Sequence, residues 1–223
     1  MRESDQDVGI LTVTWNEAWN IGTVVQQARR FGDVLVVDGA STDNTVHQAR
    51  GAGAQVLVYE RDPGLAQCTV AGFRWLVGHG YKRVVQLDAG LSFSPLEIPR
   101  LLQHPQADLV LGQRPDESRR TVSKAGSWLA RRWLGMPWRD VTCGFRCWSA
   151  SALRQMDTEG VFDNLRCRMH GFQIELLYEA LWRGFLIMPV DVTYAPGRSS
   201  GHWDVALEAL RAVWDMRGRQ GSR

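Results

Sequence analysis

The chain predicts an α/β fold, a mostly parallel sheet flanked by helices on both faces. Three observations carry the prediction. Short runs of apolar β-formers, as at 33–38 and 83–88, are too short for helices and read as buried strands. Through the first half these runs alternate with segments of helical spacing, the pattern of a sheet covered on both sides. Two of the runs end abruptly in an aspartate followed by small residues, Val37-Asp38-Gly39-Ala40-Ser41 and Leu87-Asp88-Ala89-Gly90. Such a pattern delivers a carboxylate to a strand's C-terminal tip, where open α/β sheets bind their ligands.

Taken in order, the spacing predicts strand 8–14, helix 17–29, strand 33–38, helix 42–51, strand 54–60, helix 65–79, strand 83–88, helix 95–104 and strand 108–112. Ser41 or Thr42 can cap the second helix, and Ser94 precedes Pro95, a favoured first helical residue. After residue 112 the alternation breaks. Residues 119–134 read as a helix, 141–149 as a strand-like return, 172–183 as a helix, 184–194 as apolar strand segments and 203–216 as an amphipathic helix. Residues 217–223 read as a frayed polar tail, and residues 1–223 together as one domain.

A length of 223 residues suffices for one such domain, and 44% apolar residues with a net charge of +2 is ordinary for a soluble globular protein. The distribution of charge says more, because Arg114, Arg119, Arg120, Lys124, Arg131, Arg132 and Arg139 gather in one stretch with few acids, which suits an anionic partner. The N-terminus lacks a signal-peptide layout, and no run approaches the roughly 18 apolar residues of a spanning helix. A cytoplasmic location is therefore expected, with reduced thiols at Cys68, Cys143, Cys147 and Cys167. The spacing of Cys143, Cys147, Cys167 and His170 admits a zinc site, against buried inert thiols. No G-x-G-x-x-G follows the first strand and no Walker lysine appears, which argues against a dinucleotide-binding dehydrogenase or a P-loop enzyme.

Five blocks in order resemble the family-2 glycosyltransferases, most of all the dolichol-phosphate mannosyltransferase type, or polyprenyl-phosphate glycosyltransferases. They are Leu11-Thr12-Val13-Thr14-Trp15-Asn16-Glu17, the segment 36–45, the segment 87–95, Thr142-Cys143-Gly144-Phe145-Arg146-Cys147-Trp148-Ser149 and the segment 171–180. The resemblance spans roughly residues 8–200. It implies the glycosyltransferase A fold, with a nucleotide-binding half at about 8–112 and an acceptor half at about 113–216. It also implies an inverting enzyme that moves a sugar from a GDP- or UDP-linked donor to a polyprenyl or dolichyl phosphate.

Residue by residue, the resemblance places Thr14, Trp15 and Glu17 at the nucleobase, Trp15 by stacking and Glu17 as an acceptor for base N–H groups. Asn16 as a helix cap and Trp15 as core is the plainer reading. Asp38 matches the first of a pair of acids, whose second is Gly39 here, and would take hydrogen bonds from base or ribose; a turn or capping role is the alternative. Asp88 and Ala89 match an Asp-x-Asp motif that faces the donor's diphosphate and a Mg²⁺ or Mn²⁺ ion, but Gly90 replaces the second acid. One carboxylate with phosphate oxygens and water can still hold such an ion, and Ser92 could add an oxygen. Arg119 and Arg198 would stabilise the departing diphosphate, while Arg114, Arg120, Lys124, Gln173, Glu175 and Ser199 would serve the acceptor side and its phosphate. Glu175 could instead complement its helix N-terminus.

A phosphate acceptor is already anionic near neutral pH, so no strong base is required, and none of the five histidines stands out as one. The helix 121–134, with Val122, Ala125, Leu129 and Trp133 at helical spacing among basic residues, reads either as a stripe on the core or as peripheral contact with the inner face of a membrane. Two other readings remain: the same donor chemistry on a soluble glycan, small-molecule or nucleic-acid hydroxyl, and a non-catalytic nucleotide-sugar-binding protein, motivated by Gly39 and Gly90.

Overall fold

The computed structural model describes residues 7–119, 121–195, 213, 214 and 216. Seven strands form one sheet: β1 (Val8–Thr14), β2 (Asp33–Asp38), β3 (Gln55–Val58), β4 (Arg83–Gln86), β5 (Leu109–Gln113), β6 (Arg146–Ser149) and β7 (Ile187–Asp191). Their order is β3-β2-β1-β4-β6-β5-β7. All run parallel except β6, which lies antiparallel to both β4 and β5.

Alternate side chains of each buried strand feed opposite faces. Val34 and Val36 join α1 (Ile21–Ala28), α2 (Thr45–Gly51) and α4 (Ile98–Leu102) in one core, whereas Leu35 and Val37 face the other. That second core is built on α3 (Leu65–Gly78), α5 (Thr121–Leu134), α6 (Ala150–Thr158) and α7 (Phe172–Trp182), around Phe73 and Trp148. Phe73 meets Trp148 edge-on at 6.3 Å between ring centroids, a favoured aromatic geometry.

The expected α/β architecture holds, and β1 and β2 occupy the predicted residues. Helix starts move inward, for local reasons. The helix expected from residue 17 begins at Ile21, because the Glu17 carbonyl accepts from the Asn20 and Ile21 amides and closes a turn first. The helix expected from residue 42 begins at Thr45. Ser41 does not cap it but binds Asp38, and the Asp43 carboxylate takes the Thr45 amide and hydroxyl instead. Ser94 does cap the turn after β4, accepting from the Leu96 amide. The predicted strand 141–149 contracts to β6, and α6 was not foreseen. Its Ser149 N-cap accepts from the Ala152 amide at 3.1 Å, and Ala152, Leu153 and Met156 supply its buried face. On α5 the apolar stripe is rotated from expectation: Gly126, Ser127, Ala130 and Leu134 are buried, while Ala125 is exposed and Leu129 and Trp133 only half-buried. Most of the predicted helix 203–216 lies outside the described residues.

Candidate active site

The C-terminal tips of β1, β2 and β4 lie side by side, since β1 pairs with both neighbours. Each tip carries a non-glycine residue in the left-handed region: Asn16 at φ 54°, Ala40 at 67° and Leu91 at 57°. Asparagine adopts this conformation readily, whereas alanine and leucine pay about 1–2 kcal/mol each. Such strain persists only where surrounding contacts over-determine it, and here they are specific. The Asn16 amide donates to Ser41 Oγ at 2.8 Å, and Asn16 Oδ1 accepts from the Thr42 amide at 2.8 Å, lacing the β1 and β2 loops together. Asn16 therefore bridges loops rather than capping α1.

Asp38 is fully buried, and its two oxygens accept from the amide and hydroxyl of Ser41, which fixes the turn after β2. Gly39 beside it leaves room for a neighbouring acid: a Cβ there would lie 3.7 Å from Asp62 Oδ1. Thr14 is buried, and its hydroxyl has no partner among the described residues. Trp15 is 64% exposed, with its ring free to stack. Glu17 is half-buried, and its Oε2 accepts from Asn20 Nδ2 at 2.8 Å.

Asp88 stands beyond the end of β4, with Ala89 buried behind it. Its side chain is open to solvent and accepts no hydrogen bond among the described residues, yet protein crowds around it: a Cβ on Gly144 would meet Asp88 Oδ1 at 3.1 Å. This crowding pushes the carboxyl above the usual range, against the opposing pull of the His170 and Arg114 charges. No three His, Cys, Asp or Glu side chains converge as a metal cage among the described residues, and all four cysteines are free and buried. A hard carboxylate without a hydrogen bond among the described residues, standing beyond a strand tip, still fits Mg²⁺ or Mn²⁺, which a single carboxylate can hold together with phosphate oxygens and water.

The loop after β5, whose Arg114 acts electrostatically on Asp88, is organised by an acid that sequence reasoning missed. Asp140 is fully buried and takes Arg114 Nε at 2.6 Å and Nη2 at 3.0 Å, a bidentate pair. Gln113, at the end of β5, clamps the Asp140 backbone from both sides, its Nε2 donating to the carbonyl and its Oε1 accepting from the amide, each at 2.9 Å. Burial alone would raise Asp140, but the hydrogen bonds and charge of Arg114, with Arg119 and Thr142, hold its carboxyl below the usual range. Arg114 Nη2 also donates to Ser123 Oγ and Thr142 Oγ1, and its guanidinium lies 5.2 Å from the Tyr194 ring centre. Nη1 makes no hydrogen bond among the described residues. The one signal in the sequence was that Asp140 is a rare acid inside the arginine-rich stretch, which does not reveal its partners.

The remaining candidates divide. Arg119 is buried, donating to Asp116, the Arg139 carbonyl, the Ser123 carbonyl and Ser127, so it braces this loop. Lys124 lies on the exposed face of α5 with Trp128, Arg131 and Arg132. Glu175 is buried and accepts from the Arg166 amide at 3.0 Å and the Cys167 amide at 2.8 Å, securing the loop before α7. The Gln173 side chain is buried with Oε1 unpartnered among the described residues, while its carbonyl accepts from Arg146. Arg146, also unforeseen, is a fully buried cation held by the carbonyls of Val141, Cys143 and Gln173, and burial lowers its pKa to about 10. Arg120, Arg198 and Ser199 lie outside the described residues.

Comparison with known proteins bears on the family and the fold. The family described as Glycosyl transferase family 2 matches residues 10–162. The chain is 33% identical over 235 aligned positions to undecaprenyl-phosphate mannosyltransferase of Micrococcus luteus, covering 94% of this chain and 95% of the relative. It is 29% identical to polyprenol monophosphomannose synthase of Mycolicibacterium smegmatis, over 94% of this chain and 87% of that protein. Among solved structures it resembles glucosyl-3-phosphoglycerate synthase from Mycobacterium tuberculosis, crystallised with Mg²⁺ and uridine diphosphate, at a TM-score of 0.75 and 20% identity, covering 96% and 80% of the two chains. A complex of the same synthase with Mn²⁺, uridine diphosphate and glucosyl-3-phosphoglycerate gives 0.74, also at 20% identity, over 97% and 80%. The shared fold is the glycosyltransferase A fold.

Proposed function

The chain belongs to glycosyl transferase family 2, and from that premise we propose that it transfers a sugar, with inversion, from a nucleotide-sugar to a polyprenyl phosphate. The observation that carries the reading is the likeness to the Micrococcus luteus protein along nearly the whole of both chains. Residues 1–223 act as one catalytic domain in this reading, with the donor at the tips of β1, β2 and β4 and the acceptor beside β5.

Asp88, with the donor's diphosphate, would hold a Mg²⁺ or Mn²⁺ ion that supplies charge stabilisation to the departing nucleoside diphosphate. Trp15 flanks the donor's base, and Asp38 acts at one remove by fixing the loop beside it. Arg114 offers its uncommitted Nη1 to the acceptor phosphate while Asp140 fixes the other edge of the guanidinium. Arg119 braces that loop rather than touching substrate. A phosphate oxygen is anionic when it attacks, so the site can dispense with a general base. Arg120, Arg198 and Ser199 are assigned to the two phosphate groups by family resemblance alone. A cytoplasmic protein lying against the inner face of the membrane suits the exposed Lys124, Trp128, Arg131 and Arg132 face of α5, since basic residues and tryptophan favour a lipid interface. No helix of the described residues is long and apolar enough to cross a membrane.

The test is transfer of labelled sugar from a panel of GDP- and UDP-sugars into the organic phase with a polyprenyl phosphate, in Mg²⁺, Mn²⁺ or chelator. Metal-dependent label in the lipid phase is the expected result. Release of nucleoside diphosphate with no lipid label would move the acceptor to a soluble molecule, and no release at all would make the protein a binder.

A further inference from the structure

The carboxylate missing at position 90 has a neighbour on another loop. A Cβ on Gly90 would lie 3.6 Å from Glu17 Oε1, an ordinary contact, so a carboxylate oxygen from the β1 loop stands directly beside the place where a residue-90 side chain would begin. The two loops are adjacent because β1 and β4 are sheet partners, and the Leu87 amide still donates to the Leu11 carbonyl at 2.9 Å just before the tips diverge. Glu17 is also held at every other point. Its amide donates to Thr45 Oγ1 at 2.8 Å, its carbonyl receives the Asn20 and Ile21 amides at 3.0 Å, and its Oε2 takes Asn20 Nδ2 at 2.8 Å. Oε1 is left without a hydrogen bond among the described residues.

We propose that Glu17, delivered from the tip of β1, is the second acid of the donor's cation site, standing in for the side chain that Gly90 lacks, with Asp88 as the first. The proposal rests on the glycosyltransferase reading above and changes the expected role of Glu17 from reader of the base to partner of the cation. The physical logic is conserved charge: a diphosphate-bound divalent ion favours two hard carboxylates over one, and the chain supplies the second from a neighbouring strand tip. Asn20 then acts as the group that orients this ligand, as hydrogen-bonded partners of ligating carboxylates commonly do.

The experiment titrates Mn²⁺ into the full chain with saturating UDP or GDP, following the free ion by electron paramagnetic resonance, and separately measures nucleotide binding in chelator. Glu17→Gln keeps the shape and the Asn20 contact, so the fold is expected to survive, with an unchanged melting temperature as the control. The expected result is Mn²⁺ affinity weakened by about tenfold or more with metal-free nucleotide affinity unchanged. Adding Gly90→Asp to Glu17→Gln is expected to restore the affinity. Unchanged Mn²⁺ affinity in Glu17→Gln would overturn the proposal, and so would an equal loss of metal-free nucleotide binding, which would return Glu17 to the base. Neither outcome touches the acceptor assignment, which stands or falls on label in the lipid phase.

Discussion

Asp88 and Asp140 are two carboxylates that share the field of one arginine, and the protein treats them in opposite ways. Asp140 is enclosed, bonded to Arg114 through two nitrogens and held below the usual carboxylate range. Asp88 is open to solvent, bonded to nothing among the described residues and pushed above that range. Arg114 is thus fixed along one edge by Asp140, while its Nη1 makes no hydrogen bond among the described residues. The tips of β1, β2 and β4 present groups with strained, hydrogen-bonded loops behind them. The loop after β5 instead builds a buried ionic hub. At the first, function and stability are expected to separate on mutation, and at the second to fall together.

The contrast is broken most directly at Asp88. Asp88→Ala is expected to lower kcat by about 10²–10³-fold or more, the scale for losing one charge-stabilising group, with the melting temperature unchanged because no hydrogen bond is lost. A matching fall in melting temperature would mean that Asp88 is structural. At Asp140 both readouts should fall together: Asp140→Ala leaves Arg114 buried without its counter-charge and Arg119 with Asp116 alone, an expected loss of about 3–5 kcal/mol in denaturant unfolding alongside lost transfer. Full stability there would remove the hub from the comparison.

Acid sharpens the same point. The Asp140 carboxyl is lowered from 3.8, so its contribution to stability is present above that value and fades as pH falls through the lowered folded value. Unfolding free energy followed from pH 6 downward is expected to drop below about pH 4 in the native chain, and Asp140→Asn should lack that component. The smallest effect is expected on the open side, where Ala40→Gly relieves a left-handed alanine and should raise stability by about 0.5 kcal/mol, the strain relieved less the added freedom of the unfolded chain. A loss of stability would show that the β2 loop is not strained.

The same division explains what the sequence could reveal. β1 and β2 were legible to the residue because parallel strands buried on both faces read as unbroken apolar runs ending in a turn. Asp88 and Glu17 were legible as groups at strand tips, where local order alone sets position. Asp140 and Arg146 were not, since their roles depend on partners 26 and 27 residues away and on burial that no local pattern encodes. The contraction of 141–149 to four strand residues has the same cause: Asp140 and Arg146 pull residues 140–143 out of extended pairing to satisfy their side chains. The α6 helix was missed because it is short and follows its strand without a break, Ser149 ending one and capping the other.

The antiparallel strand β6 carries a consequence for how the chain reaches this state. β5 has no sheet partner among earlier residues; it joins β1–β4 only through β6, synthesised more than 30 residues later. A nascent chain that ends before residue 146 therefore holds a four-stranded β3-β2-β1-β4 unit with β4 as an open edge, the kind of surface that templates aggregation. The insertion of β6 is the step that covers this edge and brings β5 with its loop beside β4, a long-range pairing of the type that slows folding. Pairing of residues 146–149 is thus the step at which the β4 edge is covered and the two parts of the sheet become one.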